Sequence, residues 1–94
     1  MKQHALLIRL YRNQVDEARR DLADLERMHA ALDAQIGALG QEIEAEQQAA
    51  AASGEAATAY GAYAAQAVNR RDNLKQSLAE IAHRIETAND AVLD

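Results

Sequence analysis

From Ile8 onward the apolar residues of the chain return every seven positions. With Ile8 placed at a, the a positions are Ile8, Val15, Leu22, His29, Ile36 and Ile43, and the d positions are Tyr11, Ala18, Leu25, Leu32, Leu39 and Glu46. Arg12, Arg19, Arg20, Glu26, Arg27 and Asp33 fall at e and f, so apolar stripe and charged flank alternate as a coiled coil requires. A second series follows, with Ala57, Ala64, Arg71, Leu78, Ile85 and Val92 at a and Tyr60, Ala67, Leu74, Ile81 and Ala88 at d. Between them, from Glu44 to Ala59, the large apolar residues vanish. Gly54 could end a helix with positive φ, and Ser53 or Thr58 could cap a restart.

One unbroken helix would be about 140 Å long at about 1.5 Å per residue and would need a second chain along its whole length. Folding back lets the chain partner itself. The pattern predicts an all-α fold: a helix over 4–48, a turn at about 49–56 and a helix over 57–93, forming an antiparallel coiled-coil hairpin roughly 65–70 Å long. Facing pairs whose numbers sum to 103 set Tyr11 against Val92, Leu22 against Ile81, Leu25 against Leu78, Leu39 against Ala64 and Ile43 against Tyr60, small against large in most layers. A register one heptad away, with sums of 110, fits a tighter turn at Gly54-Glu55 but sets Leu39 against Arg71, and is the second choice.

Composition agrees with long helices: alanine, leucine, glutamate, glutamine, arginine and aspartate dominate, and there is no proline. Without cysteine, no disulfide and no thiolate metal site is available. The apolar run Ala5–Ile8 is far too short for a signal-peptide core or a membrane span, which makes the cytoplasm the default location. The net charge of -5 is uneven: residues 1–20 sum to +3, 21–58 to -7 and 59–94 to -1. No basic stripe runs along the chain, so nucleic acid is not an expected partner.

His29 and Arg71 interrupt the two stripes. The expectation is that each lays its stem over the seam, Arg71 reaching toward Asp33, because a two-helix seam is never far from water. Metal binding by His29 with Asp33 has no third ligand, and no nucleophile–base set or phosphate loop is present, so neither metal, cofactor nor enzymatic activity is expected. The run ALLIRLYR adds Leu6, Leu7 and Leu10 at f, g and c to the seam residues Ile8 and Tyr11, beside Arg9 and Arg12. This end reads as apolar all round, either packed against something further along the chain or inserted into a partner. Near the turn, Tyr60 at d belongs to the core and Tyr63 at g is the better placed for outside contact. Gly37 and Gly40, with Ala30, Ala34, Ala38 and Ala45, make a side-chain-poor face where a second copy could approach.

The start MKQHALLIRLYRNQVDEARRDLADLE, the small-residue turn, the Tyr-containing restart and the closing RRDNLKQSLAEIAHRIETANDAVLD together resemble the FliJ-type proteins of the flagellar type III export apparatus. The resemblance spans essentially the whole chain and rests on helix layout, with no diagnostic motif; family members usually have a longer second helix. It implies a non-enzymatic stalk and adaptor, held in the cytoplasm at the membrane of the flagellar base. Its terminal end (Leu6, Leu7, Arg9, Leu10, Arg12) would enter the hexameric export ATPase, and its tip (Tyr60, Tyr63) would meet the cytoplasmic domain of the export gate. Export chaperones are further implied partners. The competing expectation is a structural coiled coil that oligomerises through its alanine-glycine faces.

Overall fold

A computed structural model describes residues 2–93. It consists of two helices, α1 (Lys2–Ala50) and α2 (Gly54–Leu93), packed side by side, with no strand among the described residues. The hairpin is a rod of 80 × 15 × 14 Å, longer than the heptads alone predict because α1 starts at Lys2 and both helices run closer to the turn.

The turn takes only Ala51, Ala52 and Ser53. The last turn of α1 tightens there: the Ala51 amide donates to the Gln47 carbonyl at 3.2 Å, and the Ala52 amide to the Ala49 carbonyl at 3.1 Å, a three-residue span. Ser53 is then the N-cap of α2. Its Oγ accepts from the Ala56 amide at 3.1 Å, and its carbonyl accepts from the Ala57 amide at 3.0 Å. Gly54 therefore opens α2 instead of closing α1, and no glycine of the described chain takes a positive φ. Thr58 does not cap; its hydroxyl donates back to the Gly54 carbonyl at 3.1 Å inside the helix. Glu55 sits in the first turn of α2, where the helix dipole favours a negative charge.

Burial follows the heptads from Val15 to Ile43 and from Tyr60 to Val92, where every a and d residue is buried or half-buried. Among the described residues only Leu39 at 5%, Ala67 at 4% and Ile81 at 6% exposure are buried, as expected when each helix has a single neighbour. Ala57 and Glu46, at a and d near the tip, are exposed, and Ala50 and Ala56 are half-buried in their place.

The grooves beside the seam record the register. One is lined by Met28, Ala31 and Leu32 from α1 with Ser77, Glu80, Ile81 and Arg84 from α2; another joins Glu26 and His29 to Ala82 and Ile85. These groupings fit sums near 110, where Leu32 faces Leu78 and His29 faces Ile81. Sums of 103 would move the two sets about 11 Å apart along the axis. The alternative that the sequence ranks second is therefore the better description of the seam, with the turn itself centred on Ala52, earlier than the Gly54-Glu55 turn expected with it. Its cost is Arg71 in the seam, which the structure accommodates: Arg71 is half-buried, and its Nε is enclosed without a hydrogen-bond partner. The side chain reaches Asp72, 3.8 Å away, and not Asp33, which lies too far down α1 in this register.

Two measurements check this description. A Leu32→Cys/Leu78→Cys variant is expected to oxidise to an intrachain disulfide under mild conditions while Leu25→Cys/Leu78→Cys does not, since only the first pair comes within bridging reach. Replacing Ser53 by Ala removes the cap and is expected to lower unfolding free energy by about 1 kcal/mol in urea titrations followed by circular dichroism.

Candidate functional site

Two regions combine exposed or unusual side chains, and they lie at opposite ends of the rod. The first is the beginning of α1. Leu6, Leu7, Ile8, Leu10 and Tyr11 are all between 52% and 62% exposed, so Ile8 and Tyr11 do not join the seam as their heptad positions predict. In the register of the structure, the level of Tyr11 lies beyond the last described residues of α2, which removes the expected partner Val92. Residues 2–15 hold Lys2, Arg9 and Arg12 and no acid; the first carboxylate is Asp16.

At about 100° per residue the helix sorts these side chains into two faces. Leu6, Leu10, Leu7, Tyr11, Val15 and Ile8 follow one another around about 200° of the circumference by the same rotation per residue, with Gln3, Gln14 and His4 between them. Arg12, Ala5, Arg9, Lys2 and Asn13 fill the opposite side. The end is thus amphipathic and not apolar all round, a correction to the reading of ALLIRLYR. Leu6, Leu7, Arg9, Leu10 and Arg12 are brought together on one stretch of helix, but Arg9 and Arg12 stand on the other face from the leucines.

The second region is the tip. Tyr60 and Tyr63 are half-buried, their ring centroids 6.3 Å apart and tilted by 41°. Tyr63 shares a groove with Leu39 and Glu42 of α1 and Gln66, Ala67 and Arg70 of α2. Its hydroxyl is sealed from solvent and meets no hydrogen-bond partner among the described residues. That desolvation, with the carboxylate of Glu42 and then that of Glu46 nearby, raises the Tyr63 pKa above the ordinary 10.0. Tyr63 therefore turns toward α1 more than its g position suggests, and what the tip offers outward is the edge of the tyrosine pair on an acidic surround of Glu42, Glu44, Glu46 and Glu55, all exposed.

Elsewhere the surface holds little chemistry. Arg27 pairs with Asp24, and Arg84 with Glu80 at 2.9 Å, one helical turn apart in each case and solvent-exposed, so each adds little to stability. His29 is half-buried beside Glu26, and no group of three potential metal-ligating side chains occurs among the described residues. Gly37 and Gly40 face open space: a Cβ at either would meet nothing within 4 Å. No described helix is long and apolar enough to cross a membrane.

Scans against protein-family models, curated proteins and solved structures returned no match to the chain.

The tip and the glycine face each generate a test. The phenol absorbance of one tyrosine is expected to titrate above pH 10, and Glu42→Gln should bring that step down. Because the folded pKa of Tyr63 is raised, its contribution to stability is complete below pH 10 and is lost as pH rises through the folded value; rising stability over that window would contradict the assignment. Gly37→Ala and Gly40→Ala are each expected to stabilise the hairpin by about 1 kcal/mol. A fall in stability or in apparent mass, read by thermal melts and light scattering, would instead reveal a close helix contact on that face.

Proposed function

We propose that this protein is a non-enzymatic stalk and adaptor that works by docking its two ends, and that it serves the flagellar type III export apparatus. The observation carrying the docking part is the exposed apolar and cationic start of α1, at the far end of the rod from an acidic tip with a tyrosine pair. A rod with a seam one stripe wide has no interior in which to shield a reaction from water, so its usable chemistry lies on its ends and faces. The helical layout MKQHALLIRLYRNQVDEARRDLADLE to RRDNLKQSLAEIAHRIETANDAVLD, which resembles FliJ-type proteins, supports the export setting.

In this reading the beginning of α1, through Leu6, Leu7, Arg9, Leu10 and Arg12, engages the hexameric export ATPase. The tip bearing Tyr60 and Tyr63 meets the cytoplasmic domain of the export gate, and the protein resides in the cytoplasm at the base of the flagellum. Export chaperones are further partners. A second reading, a structural coiled coil that self-associates, is favoured by the open glycine-alanine face at Gly37 and Gly40 and by the exposed Met28 and Val68.

ATP hydrolysis by the corresponding export ATPase separates the two readings. Addition of the chain is expected to stimulate turnover, and a Leu6→Ser/Leu7→Ser/Leu10→Ser variant to lose the stimulation while staying helical. An unchanged rate, with the chain eluting as a stable oligomer, would favour the structural coiled coil.

A further inference from the structure

The face made by the start of α1 is wider than a helix partner needs. A coiled-coil seam uses a narrow a and d stripe, whereas a helix lying in a lipid interface buries about half its circumference and keeps cations toward the headgroups. The apolar arc here covers about 200° at about 100° per residue. Leu6, Leu7 and Leu10 lie at f, g and c, off the line of the seam, so a helix continuing the course of α2 would cover Ile8 and Tyr11 and leave these leucines in water. The opposite arc carries Lys2, Arg9 and Arg12 with no carboxylate before Asp16.

We infer that the first turns of α1 bind an anionic lipid surface, with Leu6, Leu7, Leu10 and Tyr11 set into the acyl boundary and Lys2, Arg9 and Arg12 at the headgroups. The charge pattern selects this occupant over a second copy. Two such segments joined through their leucines would leave six cations on the outer faces with no acid to pair them, whereas a phosphate-bearing surface supplies the opposite charge. The acidic remainder of the molecule, at -7 over residues 21–58, is repelled by the same surface, which limits the contact to the first turns of α1. This goes beyond the adaptor reading and does not depend on it. Lipid and a protein partner would use overlapping leucines, so occupancy by one releases the other.

Co-sedimentation of the full chain with vesicles tests the inference, comparing phosphatidylcholine alone with phosphatidylcholine mixed with phosphatidylglycerol. Binding is expected only to the anionic vesicles, weakening with salt. Arg9→Gln/Arg12→Gln should reduce partitioning about thirtyfold, and Leu6→Ser/Leu7→Ser/Leu10→Ser should abolish it, with circular dichroism confirming that both variants remain helical. No sedimentation with either vesicle, equal sedimentation with both, or retention of binding by the helical leucine variant would each overturn the inference. A stable dimer in light scattering that ignores vesicles would do so in favour of a second copy.

Discussion

Each helix of this hairpin has one neighbour, so only the a and d stripe leaves water, and even there most residues are no more than half-buried. A two-helix structure holds together through the summed burial of many small layers, each leucine or isoleucine contributing about 1.5–3 kcal/mol when wholly covered and less when it is not. Length substitutes for depth. The same thinness means that no layer is irreplaceable and that the register must be held by agreement among layers, with the short turn at Ala51–Ser53 fixing where the two stripes first meet.

That constraint also explains how polar groups survive in the seam. In a deep core an arginine without a partner for its Nε would be strongly destabilising, because the charge would be cut off from water. Here the side chain of Arg71 remains 39% exposed, so its guanidinium tip stays hydrated while the stem covers the seam. Tyr63 shows the opposite balance. Its ring fills space beside Leu39 and Ala67, but the hydroxyl is left enclosed near two glutamates, and burial and charge both favour the neutral phenol. At the tip, packing and electrostatics therefore act in the same direction, holding Tyr63 in its neutral form.

The helices and their inward stripes were legible because a seven-residue repeat depends only on which residues are apolar, and that is written in the chain. The choice between registers was not. Sums of 103 and 110 bury nearly the same residues, and the criterion that favoured 103, avoiding Leu39 opposite Arg71, assumed that an arginine in the seam would be expensive. The residues that share the grooves beside the seam place the register near 110, with Arg71 taken into it. Gly54 was misread for a related reason: a glycine beside a serine suits both the end of one helix and the start of the next, and only the hydrogen bonds tell which. At the candidate site, the leucines of ALLIRLYR were visible as excess apolar residues outside the heptad. The separation of Arg9 and Arg12 from them was also in the sequence, but a heptad frame built around Ile8 and Tyr11 obscures it.

A rod with unlike ends is suited to holding two things at a fixed distance. Both helices run without a proline or a described cis peptide, and the turn is pinned by its own hydrogen bonds, so where the two helices lie side by side bending is resisted by two continuous backbone ladders. The side chains that the seam leaves most exposed are the leucines and cations before Asp16, at the end of the rod away from the acidic tip.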